Sequence, residues 1–396
     1  MKIMKIMKIR TLFINCLSII SLVFSGCSNS DSNSDSNSDI ISTDKNCTQT
    51  VNIPDANFKA KLLSANGIGN NIVASDLEGV DCIIDTNKDG IIQVCEAENI
   101  SELMIDNANI SSLEGLLAFR NLKSLSCKYN KIITLDLSSL KKLHSIYCTN
   151  NALTNLNIQG LSNLKQLYCD HNQLTTIDLS ASTLLENLWF DHNKISTLNI
   201  SNSKNITEIR GDYNLLTSLT VSHLKNLGSL SISDNLLTSL DVKDLVNLTS
   251  LQCNNNNMTT LNASNCVKLM DISCDQNVLT SINLNDCGML NALRCTNNKL
   301  TTINLNGLTG LKNLDISNNL LTSLDIRYCP ILDYISVYNM SQLQSLVLKN
   351  GSTINDYYLG NNPNLNSICC DASEVSQVQS QVSFWGYNCV VSTNCF

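Results

Sequence analysis

The amino-acid sequence predicts a solenoid of short stacked coils, with a parallel β-sheet along one face, short extended or irregular segments along the other, and a helical cap at each end. Three observations carry that expectation. An asparagine returns every twenty-one residues, at Asn130, Asn151, Asn172, Asn193, Asn214, Asn235, Asn256, Asn277, Asn298 and Asn319. Around each asparagine the same apolar scaffold recurs, as in Leu164, Leu167, Cys169, Asn172, Leu174, Ile177 and Leu179. Only two prolines follow Pro54, both beyond Asn319, so nothing in the repeated stretch removes a ladder hydrogen bond. A segment of this length cannot bury its apolar residues alone and must stack on copies of itself.

The elements of one coil follow from its pattern. Leu125 and Cys127 alternate with Ser124, Ser126 and Lys128, which is a short strand with one face inward. Such strands stack at roughly 4.8 Å into a parallel sheet. The asparagine comes three residues after the last inward strand position, where the chain turns; its amide can donate to one coil and accept from another, forming a ladder. The second half of each coil, such as Leu135-Asp136-Leu137 or Ile303-Asn304-Leu305, also alternates and is too short for a helix.

With its repeated LxxLxCxxNxLTxLDLS pattern, the stretch from about residue 100 to 348 resembles the leucine-rich-repeat family in its short bacterial form. The resemblance implies a leucine-rich-repeat solenoid whose parallel sheet lines a concave face. It also implies capping segments: residues 47–99 resemble the amino-terminal cap of flavobacterial repeat proteins, and residues 349–396 their carboxyl-terminal cap.

The net charge is −8 and the isoelectric point about 5.0, with lysine and arginine scattered, which argues against a nucleic-acid groove. The eighteen cysteines fall into groups. Cys127, Cys148, Cys169, Cys253, Cys274 and Cys295 share one inward column with Phe190, Ile232 and Ile316, while Cys266, Cys287 and Cys329 share a second with leucines. Both read as small buried hydrophobes, with a metal ladder as the rival. Cys47, Cys82, Cys95, Cys369, Cys370, Cys389 and Cys395 lie in the caps and can pair in an oxidising compartment, in a connectivity the sequence leaves open.

Taken in order, residues 1–27 read as a secretory signal: lysines and Arg10, an apolar run from Leu12 to Phe24, then Ser25-Gly26-Cys27. Small residues before Cys27 resemble the bacterial lipobox, which implies cleavage before that cysteine, a lipid anchor on it and an outer-membrane, cell-surface location; the alternative is an ordinary signal peptide and a secreted protein. Residues 28–46 form a Ser/Asn/Asp tether. From Ile53 to Leu63 a short helix is expected, with Pro54 in its first turn and Phe58 and Leu62 inward. The run Asp85 to Glu96 matches a twelve-residue calcium loop: side-chain oxygens from Asp85, Asn87 and Asp89, glycine at the sixth position, the Ile91 carbonyl, Gln93 directly or through water, and two oxygens from Glu96. A solvated polar turn is the alternative. Ala108 takes the asparagine's place in a degenerate first coil, and Met340 does so at the far end, where regularity is expected to stop. Asp371-Ala372-Ser373-Glu374 resembles a capping box before a helix carrying Val375, Val378 and Val382.

Outward strand positions define a candidate surface. One column runs Ser126, Tyr147, Tyr168, Trp189, Arg210, Ser231; the next Lys128, Thr149, Asp170, Asp191, Asp212, Ser233; the third Tyr129, Asn150, His171, His192, Tyr213, Asp234. An exposed aromatic strip beside an acidic one suits a protein hot spot, a sugar ring, or a basic partner, and mere tolerated decoration is the bland alternative. His171 and His192, one coil apart, can also be read as sharing a metal ion. Gly211 stands inward where Phe190 stands one coil earlier, so the ring is expected to cover the missing side chain. No Ser-His-Asp, Cys-His or phosphate-loop pattern is present. The expected protein is a monomeric, non-catalytic, surface-anchored recognition module with a calcium ion in its cap, binding a protein or, alternatively, a glycan; a structural spacer is the third reading. Membrane contact is expected through the lipid alone, and no nucleic acid is expected.

Overall fold

The structure, a computed structural model, describes residues 47–66 and 72–395. The signal sequence, the tether and Cys27 lie outside the described residues.

Alternating inward leucines and outward polar residues set each strand's register, because a one-residue slip would expose every leucine. The result is a fourteen-stranded sheet. It opens with Ala74–Asp76, antiparallel to Ile100–Met104, and every later strand pairs in parallel with the coil before it, ending at Asp356–Tyr358. Registry is strict: Tyr147 faces Tyr168, Tyr168 faces Trp189, and Trp189 faces Arg210. The other face carries sheets of two, three and four strands with irregular segments between them, and among the described residues no convex helix longer than the turn Leu116–Ala118 is present. The alternation Leu135-Asp136-Leu137 accordingly lies at the strand Thr134–Asp136.

The core is one continuous column of leucine, isoleucine and cysteine. All six cysteines of the first column and all three of the second are fully buried, and burial pushes the thiols of Cys127, Cys169 and Cys253 well above the ordinary range, leaving them as inert packing groups.

The asparagine ladder is present from Asn130 to Asn319, with a direction the sequence did not predict. Asn235 illustrates it. Its Oδ1 accepts from Leu216 N at 3.0 Å, and its Nδ2 donates to Gly211 O at 2.9 Å and to Ser233 O at 3.0 Å. Instead of bridging two different neighbours, each amide both donates to and accepts from the coil before it, while also tying its own turn. At the αL position just before each asparagine, φ stays between 51° and 58° in coil after coil from Tyr129 to Asn339. That conformation favours the asparagine and aspartate found there most often.

Regularity does not end at Met340. The thioether Sδ receives Asn319 N at 3.3 Å, and one coil later Asn362 resumes the ladder, accepting from Met340 N and donating to Val337 O, each at 2.8 Å. The intervening step is twenty-two residues, which hid this coil from a strict twenty-one-residue count.

The caps seal both ends of the sheet. Helix α1 (Ala56–Leu63) buries Phe58 and Leu62; Asp55 is its N-cap, so Pro54 precedes the helix instead of occupying its first turn. The second oxygen of Asp55 accepts from Ser111 N and Ser112 N at 2.8 and 3.0 Å, docking the helix on the first coil. Helix α2 (Val94–Glu98) leads into the sheet. Helix α3 (Val375–Trp385) buries Val378 and Val382 as expected. Glu374 is fully buried and serves both sides: Oε2 takes Asp371 N at 3.3 Å, as in the expected capping box, while Oε1 accepts from Ile354 N at 2.9 Å and from the Tyr357 hydroxyl, holding the last coil. Trp385 lies over Gly360, where a Cβ would fall 2.4 Å from the ring. Two disulfides staple the caps, Cys47–Cys95 and Cys369–Cys395; Cys82, Cys370 and Cys389 are free.

Candidate functional site

The long sheet brings the predicted columns together. Lys128 Nζ lies 5.7 Å from the Tyr147 ring centroid. Tyr147 meets Tyr168 edge to face at 5.0 Å, Tyr168 stacks on Trp189 at 4.3 Å with 13° between planes, and the Arg210 guanidinium covers the far side of Trp189 at 4.1 Å. Arg210 is held by Glu208, Nε to Oε1 at 2.8 Å, and the Tyr147 hydroxyl donates to Gln166 Oε1. The strip is one row capped by a cation at each end. Sequence reading treated these aromatics as exposed; they are half-buried, because each ring packs on the next. Burial pushes the Tyr168 hydroxyl up from its usual pKa.

A second row runs along the turns. His171 and His192 lie 4.2 Å apart, and His192 stacks on Tyr213 at 4.3 Å and 8°. The two imidazole planes are tilted by 35°. Among the described residues no group of three or more His, Cys, Asp or Glu side chains is placed to hold a metal ion, so the two histidines are the end of an aromatic stack, and His192 is held below its usual pKa by burial and by His171.

Between the rows run Asp170, Asp191 and Asp212, which the sequence offered as a free acidic strip. They are instead largely buried and accept internal hydrogen bonds. Asp170 takes Thr149 Oγ1 at 2.7 Å and faces His171 Nδ1 at 3.0 Å. Asp191 takes Asp212 N at 2.9 Å; Asp212 takes Ser231 Oγ at 2.7 Å and Ser233 N at 2.6 Å. Burial, reinforced by Asp212 and Asp170, pushes Asp191 up to about 6, and burial raises Asp212 as well. A carboxyl whose folded pKa exceeds its unfolded value near 3.9 contributes stability fully below that unfolded value and loses it as pH rises through about 6. Asp191→Asn, which keeps the acceptor oxygen, therefore stabilises the fold by roughly 1–2 kcal/mol at pH 7.5 and by almost nothing at pH 3.5. Urea denaturation at the two pH values measures this.

The predicted calcium loop is fully described. Asp85 accepts from Asp89 N and Gly90 N at 3.2 and 2.9 Å, Asn87 Oδ1 from Asp89 N at 3.0 Å, and Asp89 Oδ1 from Ile91 N at 2.8 Å. Glu96 Oε1 takes both Thr86 N and Thr86 Oγ1, at 2.7 and 2.8 Å, and Oε2 takes Gln93 N at 3.0 Å. That leaves Glu96 one uncommitted lone pair, on Oε2, where the sequence pattern expected two ligating oxygens.

Sequence reasoning missed a second aromatic cluster, at the far end of the same sheet. Tyr334 lies 5.5 Å from Tyr358, Tyr338 6.2 Å from Trp385, and Phe384 5.2 Å from Trp385. The column Asp315, Ser336, Tyr358 could have revealed it had the twenty-two-residue step been counted.

Among solved structures, the functional domain of InlJ from Listeria monocytogenes, described as including a cysteine ladder, is 26% identical; the match covers 81% of this chain and 75% of that one, with a TM-score of 0.66. A leucine-rich-repeat protein of Leptospira interrogans is 22% identical over 74% of this chain and 84% of its own, with a TM-score of 0.58. YopM, a leucine-rich effector protein of Yersinia pestis, is 25% identical over 68% and 77%, with a TM-score of 0.56. No known family profile and no curated protein sequence matches the chain. The fold is thus a parallel-sheet solenoid of the kind found in bacterial leucine-rich-repeat proteins.

Proposed function

We propose that the chain is a non-catalytic recognition protein that binds another protein through the long, concave sheet, held at the cell surface by a lipid on Cys27. The binding surface is the row Tyr147, Tyr168, Trp189 and Arg210 with the turn row His171, His192 and Tyr213 beside it, over the supporting floor of Asp170, Asp191 and Asp212. No helix among the described residues is long and apolar enough to cross a membrane.

The observation that favours a protein over a glycan is how the rings face. A sugar stacks on an open aromatic face. Here one face of Trp189 is covered by Tyr168 at 4.3 Å and the other by Arg210 at 4.1 Å. What remains outward is a rigid ridge of ring edges and hydroxyls with a cation at each end, at low entropic cost to order, as in the anchors of protein interfaces. An exposed Tyr213 at the margin extends it.

The test applies the purified chain, in parallel and at one concentration, to a protein microarray and a glycan array, each repeated with Trp189→Ala. The expected result is saturable binding to array proteins, weakened about 30-fold or more by the substitution, with the glycans silent. Glycan binding abolished by Trp189→Ala would move the assignment to a carbohydrate module; protein binding indifferent to it would remove the sheet face from the assignment.

A further inference from the structure

The carboxyl-terminal end of the long sheet carries an aromatic surface of a different kind from the row at Trp189. Tyr358 shares an outward column with Asp315 and Ser336. Tyr338 stands in the adjacent outward column, after Ser317 and before Gly360, and Trp385 comes from α3 to lie over Gly360. These rings are open: Phe384 is 78% exposed, Tyr358 54%, Tyr338 43% and Trp385 39%. Within the cluster Phe384 meets Trp385 at 88°, Tyr338 meets Trp385 at 69° and Tyr334 meets Tyr358 at 43°. None is stacked flat between two neighbours, as Trp189 is between Tyr168 and Arg210. Single exposed apolar residues are ordinary, but a contiguous group on one face marks an interaction site.

Carboxylates surround this cluster without a countercharge. Asp356 faces Tyr334 in strand register, Asp315 lies two coils before Tyr358 in its column, and Asp333 immediately precedes the strand Tyr334–Ser336, where Asn355 Nδ2 donates to it. None of the three forms an ion pair among the described residues. Arg294 and Lys312, one coil before Asp315 and Asp333, pair with neither. The first row supplies the comparison. There Lys128 lies 5.7 Å from the Tyr147 centroid, Arg210 lies 4.1 Å from that of Trp189, and Glu208 holds Arg210. At the carboxyl-terminal end rings and carboxylates recur, and among the described residues no lysine or arginine lies over the rings.

We propose that this end of the sheet binds a basic segment of a partner polypeptide, whose arginine side chains stack on the open rings and pair with Asp315, Asp333 and Asp356. Charge complementarity selects a basic partner over an acidic one. The rings select arginine over lysine, because a planar, weakly hydrated guanidinium can lie on an aromatic face and bond a carboxylate in the same pose, which a compact ammonium cannot. Ordering costs little here: Tyr358 is fixed in a strand, and Trp385 is seated where a Cβ on Gly360 would fall 2.4 Å from its ring. Between this surface and the first row the column runs through Ser231, Gln252, Ser273 and Arg294. The two surfaces are separate, and the proposal does not rest on what the first row binds.

The experiment is fluorescence-anisotropy titration of the intact chain against three labelled synthetic peptides of equal length, in which glycine alternates with arginine, with lysine or with glutamate. Expected are saturable binding of the arginine peptide, binding of the lysine peptide weaker by about threefold or more, none of the glutamate peptide, and weakening with added salt. Tyr358→Ala with Phe384→Ala should weaken the arginine peptide about tenfold or more, Asp333→Asn with Asp356→Asn should weaken it and flatten its salt dependence, and Trp189→Ala should leave it unchanged. All four substituted side chains of the double variants are exposed, and circular dichroism checks that the fold is kept; should the Tyr358 variant not fold, Phe384→Ala alone decides. Arginine binding that is absent, or equal in the parent and the Tyr358, Phe384 variant, would overturn the site, leaving only the general attraction of a chain of net charge −8. Loss of binding with Trp189→Ala would move the basic segment to the first row and overturn it equally.

Discussion

Replacing Asn235 by alanine is expected to lower the free energy of unfolding by about 1–3 kcal/mol, the cost of a buried N–H left without an acceptor. The side chain is 5% exposed, so water cannot replace it. Its loss strands the Leu216 N–H, which has Asn235 Oδ1 as its acceptor at 3.0 Å, and takes one donor from each of the carbonyls of Gly211, Ser233 and Ile232, which keep Asn214 Nδ2, Tyr213 N and Asn256 Nδ2. Aspartate at this position is no rescue, because it keeps the acceptor and sets a carboxylate oxygen against three carbonyls. Urea denaturation of the intact chain, followed by circular dichroism, provides the measurement. A loss below about 1 kcal/mol, within the range of one ordinary hydrogen bond, would mean that the ladder follows from coil stacking and adds little to it.

Phe190→Ala is the other large effect, expected at about 3–5 kcal/mol because the ring fills two positions of the core. A Cβ on Gly211 would lie 2.1 Å from Phe190 Cζ, so the phenyl group occupies the space that the next coil leaves empty. Gly211 has no left-handed φ to protect, and a substitution there meets packing alone. Gly211→Cys by itself is therefore expected to overpack the core by about 1–3 kcal/mol. With Phe190→Cys also present, the two cysteines reproduce the column found at Cys148 and Cys169, and the pair should recover at least about 1 kcal/mol relative to the sum of the singles. Additive losses in the cycle would show that the ring and the glycine do not share a cavity.

The fold was legible because a twenty-one-residue period encodes which side chains face inward, and stacking follows from that alone. Registry of Tyr147, Tyr168, Trp189 and Arg210 was legible for the same reason. How the rings turn was not, since the orientation of Tyr168 against Trp189 is a rotamer choice made between neighbours on different coils. The same holds for Asp170, Asp191 and Asp212: their column could be read, but not that threonine, serine and backbone groups of adjacent coils would enclose them. The coil ending at Asn362 was missed because one added residue breaks a count without breaking a stack. The disulfides Cys47–Cys95 and Cys369–Cys395 needed coordinates, since seven cap cysteines permit many pairings.

The one-way asparagine ladder also bears on how the protein is made. Each turn is finished only by an amide that lies one period downstream, so a chain emerging from the ribosome, or threading through a membrane pore amino end first, always carries one incomplete turn at its growing tip. Completion passes down the rod as synthesis proceeds. It ends when Glu374 and α3 arrive, and until then the newest edge is the point where a protease or a second nascent chain would find unpaired backbone.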